Sequence, residues 1–325
     1  MALGSFISAG RRLEGALERV ALAERLGYES AFVTQIAGRE SLTLLMAYAA
    51  RTERIRVGTG VLPIYSRTPA STAMSAATVD EFSGGRLLLG LGVSHRPTVE
   101  GWYGDRIDKP VREMREYVGI VRAILRGEDP PQGERFRSGF HFTGFEPSGE
   151  VPIYIAALSP GMLRLAGEIA DGVVLWICNP DYIEQVVVPE LRKGAERAGR
   201  ELDGFDVVAA VPSAVTPEPE EARSKLRQEL TPYFSLPFYR AMIERSGYAG
   251  ELGAFDERMK AGDSGGAAEA ISDRFLHALA AIGEPEEARA TVRRYAEAGA
   301  TSPSPGGISG TDFNSTLEAL AGSLS

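Results

Sequence analysis

The sequence is poor in the residues that anchor several kinds of chemistry. It has one cysteine, Cys178, so no intrachain disulfide can form and a reducing compartment is expected. Its three histidines, His95, His141 and His277, lie far apart, and there is no His-x-His or Cys-x-x-Cys, so no metal is expected. No apolar run approaches the roughly 20 residues that span a bilayer. The opening MALGSFISAGRRLEG lacks the basic start and long apolar block of a secretory signal, so a cytosolic chain with no membrane partner is expected. Positive charge is also short. Lys and Arg total 35 against 44 Asp and Glu, and the net charge of -9 is the wrong sign for a nucleic-acid partner. Only Lys109, Lys193, Lys225 and Lys260 are lysines, an Arg excess that fits genome composition better than phosphate recognition. The dinucleotide signature Gly-x-Gly-x-x-Gly is missing as well. Gly58-x-Gly60 runs into Pro63, and Gly90-x-Gly92 runs into His95.

What is present is rhythm. Apolar runs at 2–8, 28–35, 54–63, 86–93, 151–158, 172–178, 205–215 and 299–305 read as strands. Helical patterns follow them at 11–27, 41–53, 69–85, 111–127, 160–171, 181–199 and 285–298. Pro69 and Pro160 sit at helix starts, and Gly27 and Gly199 close helices. Repeated β-then-α units with apolar strands predict a parallel sheet covered by helices. About eight strands favour a closed (β/α)8 TIM barrel, one α/β domain over residues 1–325. Two stretches break the rhythm, at about 129–150 and 231–282, after the fourth and seventh strand units. They read either as lids and substrate walls or as dimer contacts. Their aromatics, including Phe140, Phe142, Tyr233, Phe234 and Tyr239, suit an apolar or planar substrate, or packing.

Barrel enzymes carry their chemistry at the C-terminal ends of the strands. Those ends read Thr34-Gln35, Gly58-Thr59-Gly60-Val61, Gly92-Val93-Ser94-His95, Ala156-Ala157-Leu158-Ser159-Pro160-Gly161 and Trp176-Ile177-Cys178-Asn179. None carries the Gly-x-Ser-x-Gly elbow of a serine hydrolase. Small residues let backbone approach a flat ring, while Ser, Gln and Asn offer hydrogen bonds.

GTGVLPIYSRTPASTAMSAATVDEFSGGRLLLGLGVSH and PIYIAALSPGMLRLAGEIADGVVLW resemble the two signatures of the luciferase-like oxidoreductases, in the branch that uses the deazaflavin coenzyme F420. The resemblance covers roughly residues 11–215, and AIGEPEEARATVRRYAEAGAT also fits. It implies hydride exchange between F420 and a small-molecule substrate, in a homodimer. It places a non-prolyl cis peptide at Gly60-Val61, backing the ring. It places Val93, Ser94 and His95 near the cofactor's side chain, and Ala157 to Gly161 at its phosphate. Thr34, Trp176 and Asn179 complete the cofactor wall; Trp176 also reads as core. Gln35 and His95 take the catalytic positions, with His95 open between that role and a structural one. Family members often carry Asp-His where this chain has Thr34-Gln35, and Gln is no general acid near neutral pH. The proton source is then His95, Tyr65 or the substrate. The alternative within the same fold is an FMN-dependent two-component monooxygenase. A third reading is a barrel that binds a ligand without turnover.

Overall fold

Eight parallel strands close into a barrel in this computed structural model, which describes residues 2–8 and 10–324. They are β1 (Gly4–Phe6), β2 (Ser30–Val33), β3 (Arg56–Thr59), β4 (Leu87–Gly92), β5 (Ile153–Ala156), β6 (Gly172–Leu175), β7 (Asp206–Val215) and β8 (Ser302–Gly307). Each pairs with the next, and β8 closes the ring against both β7 and β1. The strand expected at 299–305 thus lies three residues later at its start. It carries Pro303 and Pro305, which cannot donate to a ladder. The two seams of β8 differ accordingly. It is in register with β7 from Ser302↔Val208 to Gly307↔Ser213, but with β1 only at Phe6↔Gly306. The helices pack outside: α1 (Leu13–Arg25), α2 (Ser41–Arg51), α3 (Pro69–Ser83), α4 (Arg96–Trp102), α5 (Pro110–Leu125) and α6 (Pro160–Ile169) lead the series. No helix among the described residues is long and apolar enough to cross a membrane.

The interior is filled, not open. Phe32, Leu88, Tyr154, Val174 and Val208 form a buried cluster with Phe6 and Val61 against it. Phe6 stacks on Phe32 with centroids 5.4 Å apart. Below this plug, the Tyr154 hydroxyl donates to Asp206 Oδ2 at 3.1 Å. Strand alternation sets the next inward positions above the plug: Gly90 and Gly92 follow Leu88, Ala156 follows Tyr154, and Trp176 follows Val174.

Between β3 and β4 the ladder carries one extra residue. Gly58 pairs with Leu88 and Leu62 with Leu91, so four steps on one strand meet three on the other, a β-bulge. The Gly60-Val61 peptide inside it is cis, as the resemblance implied. Thr59 Oγ1 donates to the Gly90 carbonyl at 2.7 Å, and Gly60 N–H to the Val33 carbonyl at 2.8 Å. A Cβ on Gly90 would lie 2.0 Å from the Thr59 carbonyl oxygen, and one on Gly92 would lie 2.4 Å from Val61 Cγ2. The two glycine pairs that failed as a nucleotide signature are therefore spent on close packing around the bulge.

The two excursions differ in kind. Residues 127–152 contain no helix or strand and fold along α5, where the Glu116 carboxylate accepts the Glu134, Arg135 and Phe136 N–H groups. Phe140, Phe142 and Phe145 pack on one another there. The second excursion is helical. It starts earlier than the break expected at 231, because the helix Pro219–Phe234 runs through Pro232 in its last turn. Further helices follow at Pro237–Arg245, Ala249–Lys260, Ser264–Glu269 and Asp273–Leu279 before the short strand Ala281–Gly283.

The bulge gives a direct stability test. Gly90→Ala should cost toward the upper end of about 1–3 kcal/mol, since backbone must move. Gly101→Ala, in α4 with nothing within 4 Å of its Cβ, should be neutral or gain up to about 1 kcal/mol. Urea unfolding of the two variants measures both.

Candidate active site

The mouth of the barrel has a floor of small side chains. Gly60, Val61, Gly92 and Ala156 lie above the plug, and a Cβ on Gly92 would sit 3.4 Å from Ala156 Cβ. The bulge is held from above. Thr34, exposed at the end of β2, donates its hydroxyl to the Gly60 carbonyl at 2.8 Å. Gln35 turns away. Its Oε1 accepts the Ser41 N–H at 3.2 Å and the Ser41 hydroxyl at 2.9 Å, at the start of α2. Its carbonyl end is therefore engaged at the start of α2.

At the end of β4 the chain turns sharply. Ser94 adopts φ +57°, a region few non-glycine residues enter. His95 follows as the residue before α4, with no capping bond from its side chain. It packs against Tyr239 and Tyr233, with ring centroids 5.6 and 6.0 Å away. Burial disfavours the charged imidazole and holds its pKa below the ordinary value, so His95 is neutral near pH 7.

After β5, Ala157 is buried and its N–H donates to the Val174 carbonyl at 3.3 Å. Ser159 caps α6 by accepting the Met162 N–H at 3.3 Å, and Pro160 occupies the first turn. Among the described residues, the Ser159 and Gly161 amides donate to no other group. The Leu158 carbonyl accepts the Tyr182 hydroxyl at 2.8 Å.

After β6, Trp176 stands at the rim, half-buried. Its indole N–H is buried and, among the described residues, has no partner of proper hydrogen-bond geometry. Ile177 takes φ +61°, costly for a β-branched residue. Asn179, expected in the cofactor wall, is buried, and its Oδ1 accepts the Tyr182 N–H at 2.9 Å as a helix cap. The Asn-Pro pair before a helix was the signal for that role.

The second excursion supplies what the strand ends do not. Tyr233 lies 5.9 Å from Trp176 and 4.9 Å from Tyr239, ring to ring, so one tyrosine links His95 on β4's loop to Trp176 on β6's. Phe234, its neighbour, points the other way and is fully buried against Phe255 and Phe275. Tyr65 is spent elsewhere. Its hydroxyl donates to the buried Glu113 carboxylate, and burial together with that carboxylate pushes the phenol far up, so it holds its proton. The one Gly-x-Ser-x-Gly match in the chain, Gly262–Gly266, opens the helix Ser264–Glu269 with no strand before it, and so is no nucleophile elbow.

A family model described as luciferase-like monooxygenase matches residues 1–302. The chain is 30% identical over 308 residues to the 5,10-methylenetetrahydromethanopterin reductase of Archaeoglobus fulgidus, covering 93% of this chain and 92% of that protein. Its fold superposes with TM-score 0.85 and 24% identity on the coenzyme F420 dependent tetrahydromethanopterin reductase of Methanopyrus kandleri, covering 99% of this chain and 97% of that one. An F420-dependent secondary alcohol dehydrogenase holding an F420-acetone adduct gives TM-score 0.79 at 19% identity, over 98% and 97% of the two chains. A closed barrel with this mouth, matched by that family model over nearly its whole length, makes the chain a member of the luciferase-like family.

Proposed function

We propose that this chain is an F420-dependent oxidoreductase that exchanges a hydride with a small organic substrate. The observation that carries the reading is the mouth itself: a floor of Gly60, Val61, Gly92 and Ala156 beside a neutral, half-buried His95. The residues present fit the cofactor. Gly60, Val61, Gly92 and Ala156 would back a planar tricyclic ring. The amides of Ser159 and Gly161, at the start of α6, would receive its phosphate. Thr34, Val93, Ser94, Ala157, Leu158, Pro160 and Trp176 shape the remaining wall, and Asn179 supports it from beneath as the cap on Tyr182. Bound F420 supplies two-electron hydride chemistry, and the protein contributes position and polarity. His95 would hold or pass a proton in this reading, since Tyr65 is tied to Glu113 and Gln35 is no acid. The Gln35 NH2 serves as a hydrogen-bond donor.

The chain acts in the cytosol as a homodimer in this reading. Met74 and Phe82, two helical turns apart on α3, expose 47% and 53% of their surface, an apolar face suited to a second copy. Sedimentation should show a dimer, and Phe82→Asp should shift it toward monomer.

The purified protein, titrated separately with F420 and with FMN, should retain F420. Retention of FMN instead would make the chain a flavin monooxygenase of the same fold. Ala156→Phe, which places a ring on the floor, should weaken F420 binding at least about tenfold, equivalent to about 1.4 kcal/mol, while leaving the melting temperature near that of the parent. For His95 the sign follows from burial. Just below about pH 6.5 the unfolded chain binds a proton that the folded chain refuses, so stability rises with pH through that window. Urea unfolding across pH 5 to 7 should show a shallower rise in His95→Gln.

A further inference from the structure

Four aromatic side chains carrying polar hydrogens meet over the mouth: His95, Trp176, Tyr233 and Tyr239. Their ring centroids lie 4.9 to 6.0 Å apart through Tyr233. The polar atoms of this cluster are poorly matched to one another. The Trp176 N–H is buried and lacks a properly aligned partner among the described residues. It faces the Tyr233 oxygen, and that approach works against the rise that burial imposes on the phenol. Burial also raises the Tyr239 phenol, so both tyrosines keep their protons. Neither the Tyr239 hydroxyl nor the His95 imidazole has a hydrogen-bond partner among the described residues. A buried N–H left unmatched costs about 1–3 kcal/mol, and native chains keep few of them.

The donor set defines what would satisfy it. An indole gives one N–H and accepts nothing, and a protonated phenol gives an O–H. The electrostatic neighbours of Tyr233 are Trp176 and Glu229, and those of Tyr239 are Tyr233 and Cys178. No cation is among them, and Glu229 is negative, so a carboxylate or phosphate is unwelcome. An ammonium is itself a donor only, so a pair of donors offers it nothing to bond. The walls are apolar and aromatic.

We infer that the Trp176 N–H and the Tyr233 O–H form a two-donor pocket for a neutral carbonyl oxygen, and that Tyr233 and Trp176 select an uncharged, largely apolar carbonyl compound as substrate. This rests on the hydride-transfer reading above. The wall that selects the substrate then comes from the second excursion, while the floor comes from the strands.

Three ligands of one skeleton test it by calorimetry on the full-length protein: cyclohexanone, cyclohexanecarboxylate and cyclohexylammonium. Cyclohexanone should bind saturably and at least about tenfold more tightly than either ion. Trp176→Phe and Tyr233→Phe should each weaken it about three- to tenfold, the range of one neutral hydrogen bond. Their melting temperatures and circular dichroism should match the parent's. In Trp102→Phe, which leaves Trp176 as the only indole, cyclohexanone should change the emission. Equal binding of the three ligands, preference for an ion, no saturable binding, or full affinity in Tyr233→Phe would each overturn the inference. If F420 is still retained in that case, only this inference falls. If F420 is not retained, the reading beneath it falls too.

Discussion

The close approach of Gly90 to Thr59 is the constraint on which the mouth depends. Only a residue without a Cβ lets the two strands run that near, and the Thr59 hydroxyl fixes the approach by bonding the Gly90 carbonyl. The extra residue of β3 is then forced out of register, and Val61 swings over Gly92 into the barrel. Thr34 reaches across from β2 to the Gly60 carbonyl and locks the turn from the solvent side. A shelf is produced by backbone geometry, with side chains reduced to the minimum.

Beneath that shelf the plug separates two unlike poles. Phe6, Phe32, Leu88, Tyr154, Val174 and Val208 fill the waist. Below them Asp206 gathers hydroxyls from Tyr154, Thr301 and Ser302 in a polar, fully bonded base. Above them the buried Trp176 indole N–H stands without an aligned partner among the described residues. The contrast follows the usual division of a barrel, with stability at the N-terminal face and chemistry at the other.

The strand rhythm carried most of the architecture, because apolar runs buried on both faces are distinctive. The eighth strand read poorly because its prolines violate strand chemistry, and the structure tolerates them where the seam with β1 narrows to Phe6 and Gly306. At the mouth, residue types were legible but allegiances were not. Gln35 and Asn179 looked equally free for a ligand. One is drawn to Ser41 and the other to Tyr182, because helix starts claim nearby side-chain oxygens first. The meeting of Tyr233 with His95 had no signal in sequence, since it depends on how a helical excursion returns over the barrel. Phe234, one residue along, shows the difficulty: the same composition serves core packing.

Tyr233 and Tyr239 belong to one continuous stretch that leaves β7 and returns at Ala281–Gly283. The shelf draws nothing from that stretch. A lineage can therefore exchange this segment wholesale and leave the bulge between Gly60 and Gly90 undisturbed.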